Sequence, residues 1–346
     1  MAHASLAIIP KARGMYAKRM RPAEYEELMR RRTVPEVAAL LKKHPYFGDS
    51  LATLSPVDPH REQLEELLNM DIFNKYEALM RYDFTSESFA FYFIIECEVI
   101  ELLRAMRMIS TGMANRYIRH LPPFLEGKIR FDLFRLAEAR SFGEMLEVLR
   151  YTPYYKVLRP LYQKDPALRD YPGAEAVMIR FYYACLFELA AKHLPPREEK
   201  AVRTLFLQEA ELYNVNVVFR SKIYFGEAYG SEQIRRMLLP YRYRLSPRRL
   251  DEMLAAKSPE QMMEIYHRAV GLAQTAGPVD MEAFDAETGR LKYRQAQRVL
   301  HLTTSPSAAL AAFIALAKLE RDNVVNIIEG VRYGLTPEEI RALLRC

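Results

Sequence analysis

An all-α protein made of three similar helical domains is what this sequence predicts. Three observations carry that reading: glycine is scarce among strong helix formers, one unit recurs three times, and each copy carries the capping residues that start a helix. Glycine accounts for 13 of 346 residues, about half the usual frequency of roughly 7 %. Half the chain is hydrophobic and 27 % is charged, ordinary values for a folded globular protein and not for a disordered or fibrous one. At this length more than one compact unit is expected, because single cores stop growing beyond about 250–300 residues.

The repeat aligns residues 22–43, PAEYEELMRRRTVPEVAALLKK, without gaps to 130–151, RFDLFRLAEARSFGEMLEVLRY, and to 247–268, PRRLDEMLAAKSPEQMMEIYHR, at offsets of 108 and 117 residues. Tyr25/Leu133/Leu250 and Leu28/Leu136/Met253 lie three apart, on one face of a first helix. Basic Arg32/Arg140/Lys257 follows near its C-terminus, where a cation favours the helix dipole. Thr33/Ser141/Ser258 with Glu36/Glu144/Gln261 three residues later then reads as a capping box. In such a box the hydroxyl accepts from the third helical N–H, the acid or amide returns a bond to the cap, and the gain is about 1 kcal/mol.

A second helix starts at each box, with Val37/Met145/Met262, Leu40/Val148/Ile265 and Leu41/Leu149/Tyr266 at half-buried spacing. It ends in His44–Pro45–Tyr46 in the first copy and Thr152–Pro153–Tyr154 in the second, whereas the third runs into Gly271.

A second anchor closes each copy. Glu98-x-x-Glu101, Glu211-x-x-Asn214 and Glu320-x-x-Asn323, separated by 113 and 109 residues, put two polar side chains on one face of a mostly apolar helix. An arginine (Arg104, Arg220, Arg332), a glycine-containing break and a short helix follow. The three glutamates are read as one structural job done three times, bonding the backbone of a neighbouring loop, rather than as an ion or catalytic site. A period near 110 residues is domain-sized, far beyond the roughly 20–50 residues of solenoid units. Three domains are therefore expected, over residues 1–122, 123–240 and 241–346, and a pseudo-threefold closure is their natural association.

Net charge is +6, and residues 1–32 hold eight Lys/Arg against three Glu. A second basic stretch carries Arg235, Arg236, Arg242, Arg244, Arg248 and Arg249, of which Arg242 and Arg244 are the candidates to face a partner. The tyrosines and arginines of PYRYRLSPRR (240–249) resemble some RNA-binding surfaces, but their position between the second and third copies suits an interdomain linker better. Cys97, Cys185 and Cys346 form no CxxC pair, which points to a reducing compartment. The apolar runs, Leu6–Pro10, Phe89–Ile95 and Ala308–Ala317, are all too short to cross a bilayer. Membrane association is expected only through a partner.

Catalytic chemistry has no candidate residue. Neither G-x-x-x-x-G-K-[ST] nor G-x-G-x-x-G occurs, so no known phosphate cradle is present. The seven histidines are scattered with no pair one helical turn apart, there is no G-x-S-x-G elbow, and Cys97 lies in an apolar helix. No metal site and no cofactor follow from the sequence.

With the repeats in view, nearly the whole chain resembles the C/d subunit family of V-type ATPases, also V-type ATP synthases. The resemblance rests on ARGMYAKRM with YEELMRRRTVPEVAALLKKHPYF, on SFGEMLEVLRYTPYYKVL, on EAELYNVNVVFRSKIYFG and on the closing LAKLERDNVVNIIEGVRYGLTPEEIRALL. It implies a three-domain, funnel-shaped, non-catalytic subunit. Such a subunit couples the central stalk, with its D and F type subunits, to the proteolipid ring at the cytoplasmic face of the membrane. Torque would pass through it for ion transport (proton or sodium) or ATP synthesis. Glu101 departs from the family's asparagine, so the first domain is expected either to expose that helix face or to pair the acid with Arg104. The alternative is a stand-alone helical scaffold that binds nucleic acid or acidic proteins through the basic patches; the resemblance implies no nucleic-acid partner.

Overall fold

The computed structural model describes residues 4–54, 61–85, 88–225, 230–272 and 280–346. Among these there is no strand, so the protein is all-α. The helices in chain order are α1 (Ile8–Ala17), α2 (Pro22–Met29), α3 (Val34–Lys43), α4 (Arg61–Met80), α5 (Tyr92–Ser110), α6 (Leu133–Glu138), α7 (Phe142–Val148) and α8 (Pro153–Lys164). There follow α9 (Tyr171–His193), α10 (Pro196–Tyr224), α11 (Ser231–Met237), α12 (Pro247–Ala255), α13 (Pro259–Val270), α14 (Met281–Leu302), α15 (Pro306–Arg332) and α16 (Pro337–Ala342). No described helix is long and apolar enough to cross a membrane.

The helix starts follow the repeat. Thr33, Ser141 and Ser258 each accept a bond from the third backbone N–H of the helix they begin, at 3.4, 3.2 and 3.2 Å. The return bond differs from a standard capping box. Glu36, Glu144 and Gln261 accept from the N–H of Arg32, Arg140 and Lys257, one residue before the cap, at 3.1, 2.8 and 2.8 Å. Each cap is extended, with φ near −135°, so the preceding N–H is the one that faces the carboxylate or amide. Both helices of each pair are thereby fixed at one corner. The tripeptide at Thr152 also does more than end a helix, because α7 stops at Val148 and Pro153 opens α8 with Thr152 as its cap.

Helix ends are marked by glycine where the chain must turn left-handed. Beyond α5, Gly112 has φ +70° and Met113 N–H bonds Met108 O at 2.8 Å; beyond α15, Gly334 has φ +70° and Leu335 N–H bonds Gly330 O at 2.9 Å. Both are six-to-one Schellman closures, which only glycine adopts without strain. The glycine of the middle copy, Gly226, lies outside the described residues.

Two compact units emerge from the packing. The first comprises Met1–Ala90, Pro195–Leu205 and Gly277–Cys346. Its axis is α15, buried along most of its length because Ala308, Ala309, Ala311, Ala312 and Ala317 let neighbours approach closely. Helices α14, α4 and α1 lie along it, and α2, α3 and α16 also pack against it. There Val324, Ile327, Ile328 and Val331 meet Tyr25, Leu28, Val37 and Leu41 in one core. The second unit comprises Phe91–Leu194 and Phe206–Ala276. In it α5 packs on α9, α8 and α11 flank α9, and α12 pairs with α13.

Two glycines separate backbone geometry from general helix propensity. Gly334→Ala places a side chain at positive φ and is expected to destabilise the chain by about 1 kcal/mol. Gly14, inside α1 with open space around an added Cβ, should behave oppositely, Gly14→Ala stabilising by about 0.5–1 kcal/mol. Urea midpoints of the two variants check both signs.

Candidate functional site

Each of the three anchors is buried. Glu98, Glu211 and Glu320 are 0 %, 3 % and 1 % exposed, and their i+3 partners Glu101, Asn214 and Asn323 are 3 %, 1 % and 0 % exposed. A carboxylate taken out of water has to be compensated by hydrogen bonds or an opposite charge. The three copies meet that demand in three ways.

On α5, Glu98 is enclosed by Arg130 and Tyr154. Its Oε1 accepts the backbone N–H of Arg130 at 2.5 Å, and its Oε2 accepts Arg130 Nη2 at 2.5 Å and Nε at 2.9 Å, together with the Tyr154 hydroxyl at 2.6 Å. Arg130 Nη2 also donates to the Tyr154 oxygen at 2.8 Å, so the three groups form a closed triangle. One turn on, Glu101 accepts from the Tyr117 hydroxyl at 2.9 Å and pairs with Arg104 Nη1 at 2.9 Å. Of the two outcomes expected for this extra acid, the pairing with Arg104 is the one present, on a buried helix face. Burial still raises the Glu101 pKa, and Arg104 and Tyr117 pull against it.

On α10 the compensation comes wholly from backbone. Glu211 Oε2 accepts the N–H groups of Tyr243, Arg244 and Leu245, each at 2.7 Å. Asn214 brackets the same segment, its Nδ2 donating to Leu239 O at 3.0 Å and Tyr241 O at 3.2 Å, while Leu239 N–H donates to its Oδ1 at 2.7 Å. Along this segment the side chains of Arg242 and Arg244 are exposed and that of Leu245 is buried.

On α15, Glu320 has much less. Its Oε2 accepts the Tyr25 hydroxyl of α2 in a short bond, while Oε1 is buried with no partner among the described residues. Asn323 Oδ1 accepts Arg345 N–H at 2.8 Å, but its Nδ2 and the hydroxyl of buried Tyr46 are likewise unpartnered. Burial pushes the Glu320 pKa up to about 7, against the opposing pull of the Tyr25 hydroxyl, Arg19 and Lys75. Nearby, Lys75 is committed elsewhere. Its Nζ donates to Asp71 at 2.5 Å and to Tyr46 O at 3.0 Å and sits 3.1 Å from the Tyr46 ring centre.

The three arrangements obey one rule. Each acid grips the entry to the first helix of the following repeat: Arg130 precedes α6, Tyr243–Leu245 precede α12, and Tyr25, in α2, answers Glu320 of the last copy. The sequence marks Tyr154 only as part of a helix ending and does not single out Arg130, although the alignment holds the signal. Tyr154 occupies the position of Tyr46, and Arg130 that of Pro22 and Pro247. Their meeting with an acid 32 and 56 residues upstream is a tertiary fact that helical periodicity does not carry.

The basic stretch is largely neutralised. Arg235 pairs with Asp251 at 2.6 Å, Arg236 with Glu232 at 3.6 Å, and Arg248 and Arg249 share Glu252 at 3.1 and 2.6 Å. Arg242 and Arg244 pair with no acid among the described residues, and Arg244 lies 5.3 Å from the Tyr243 ring centre. The N-terminal basic segment is partly internal too, since Arg13 binds the carbonyls of Leu300, His301 and Thr303 at the end of α14, each at 2.9 Å.

Removing one side of a buried charge pair leaves the other uncompensated, so Arg130→Ala should cost about 3–5 kcal/mol. Glu211→Ala abandons three inward N–H groups, each unmet group costing about 1–3 kcal/mol. Arg248→Ala, on an exposed pair, should stay within about 0.5 kcal/mol of wild type. Chemical denaturation of the three variants checks the order; equal losses at Arg130 and Arg248 would show that the Glu98 triangle contributes nothing special.

No curated protein matches the chain. A protein-family model does, that of the ATP synthase (C/AC39) subunit, over residues 8–343. That span takes in all three buried anchors and the helix pairs that they grip, and the chain belongs to the ATP synthase (C/AC39) subunit family.

Proposed function

We propose that this subunit is the non-catalytic coupling element of a rotary V-type ATPase, linking the central stalk to the membrane proteolipid ring and passing torque between them. The observation that carries the reading is the head-to-tail grip of the three anchors. Each repeat, over 1–122, 123–240 and 241–346, holds the entry of the next through a buried acid, and Glu320 of the last meets Tyr25 of the first. A body that transmits torque must resist shear between its parts, and buried, geometrically specific polar contacts resist shear better than apolar surfaces, which can slide. Pseudo-threefold closure of the copies belongs to the same proposal, as does attachment at the cytoplasmic face through the ring, which suits a chain whose described helices cannot cross a bilayer. The partners proposed are stalk subunits of the D and F type and the proteolipid ring, with proton or sodium as the transported ion.

The exposed pair Arg242 and Arg244 gives a rival reading some footing, because arginines beside tyrosines can bind nucleic acid. In the coupling reading the same pair meets an acidic patch of a partner subunit.

Affinity purification of the tagged chain from gently solubilised membranes, followed by mass spectrometry, separates the two. Recovery of stalk subunits and proteolipid is the expected outcome; recovery of RNA with steep salt dependence would overturn the assignment. Reversing both charges, Arg242→Glu with Arg244→Glu, should lower recovery of partner subunits several-fold while leaving helix content unchanged. Undiminished recovery would remove these residues from the interface.

A further inference from the structure

The buried acid of α15 stands apart from its two counterparts in having no cation and no backbone donor. Glu98 is compensated by the Arg130 guanidinium and Glu211 by three backbone N–H groups, whereas Glu320 has one tyrosine hydroxyl on Oε2 and nothing on Oε1. The local parts otherwise correspond to those around Glu98. Tyr46 aligns with Tyr154, whose hydroxyl bonds Glu98, yet the Tyr46 hydroxyl is buried and unpartnered. Pro22 aligns with Arg130, so the guanidinium is the missing element.

We propose that Glu320 is a proton-binding site, and that the contact between α15 and α2 is a pH-sensitive latch held closed by the protonated carboxyl. A proton on Oε1 removes the charge that no guanidinium neutralises.

The groups around the site leave that role to the proton. From α1, Tyr16 and Arg19 exert their fields on Glu320, but Arg19 lies over the Tyr16 ring at 4.4 Å and Tyr16 bonds Tyr293 of α14 at 2.9 Å. From α2 comes Tyr25 itself, and from the turn after α3 comes Tyr46. From α4, Lys75 acts at a distance while held by Asp71. From the C-terminal segment, Cys346 is an exposed residue whose thiol is pushed up by partial desolvation and by Glu320, and Arg345 pairs with Asp322 in a short contact. Neither Arg19 nor Lys75 forms a direct ion pair with the acid.

The sign follows from linkage. The folded state retains this proton up to a higher pH than the unfolded chain does, so the latch is strongest at low pH. It weakens through the interval between the ordinary glutamate value and about 7, then levels off above it. Within that interval the opening equilibrium of the α2 contact should rise by up to about tenfold per pH unit.

Hydrogen–deuterium exchange on the full-length chain at several pH values, corrected for intrinsic exchange, reads this directly. Peptides from α2 and from the Glu320 turn of α15 should lose protection as pH rises from about 5 to 7, while peptides around Glu211, whose carboxylate is met by three backbone N–H groups, should not. Equal pH response at Glu211 and Glu320, or none at Glu320, overturns the proposal. In Glu320→Gln, whose amide carries no titrating charge, the pH dependence at α2 should vanish. Its persistence in a folded variant would equally overturn the proposal, and the wild-type exchange profile decides the matter should the variant not fold.

Discussion

Three carboxylates on long helices have to be satisfied away from water, and much of the remaining architecture is arranged around that demand. An uncompensated buried charge costs several kcal/mol, a large fraction of the roughly 5–15 kcal/mol that holds a domain folded. The chain therefore delivers donors to each site from a specific downstream place: a guanidinium and a tyrosine to Glu98, three successive amides to Glu211. Because those donors sit at or just before the first helix of the next repeat, satisfying the acid also sets where that helix begins. Charge compensation and repeat-to-repeat connection are thus one interaction. The i+3 residues work alongside, Asn214 and Asn323 each fastening the chain that follows the short helix.

The three aligned segments share their caps and apolar positions, yet they differ most in how the acid is compensated. Where Arg130 stands in the second copy, proline stands in the first and third, opening α2 and α12. Proline at the first helical position stabilises the start of the helix but has neither an N–H nor a charge to offer. In the third copy the backbone of 243–245 supplies what the proline cannot. At the return to the first copy only Tyr25 does so, and Glu320 is left as the acid whose charge state can change near neutral pH.

Charge on the exterior tells a different story from charge in the interior. Most of the arginines of the 235–249 stretch are matched by neighbouring acids on their own or adjacent helices, and exposed pairs of that kind contribute little stability. Arg242 and Arg244 differ in being exposed without an acidic partner among the described residues, on a segment whose backbone N–H groups bond Glu211.

Helix content, the positions of the second-helix caps, the glycine stops after α5 and α15 and the threefold recurrence of an acid on an apolar helix face were all determined by the sequence alone. Each depends on residues within about one or two helical turns of one another, where spacing and local chemistry suffice. Even there the return bond of the cap shifted by one residue, because cap φ and ψ are set by the incoming chain. What only the tertiary structure decided is which groups meet the buried acids. Tyr154 and Tyr46 are equivalent in sequence, and one bonds a glutamate while the other does not. That difference turns on a guanidinium 32 residues from Glu98 and on its absence at Pro22. Contacts of such separation are fixed by packing of whole helices, not by any pattern that a single stretch of sequence can hold.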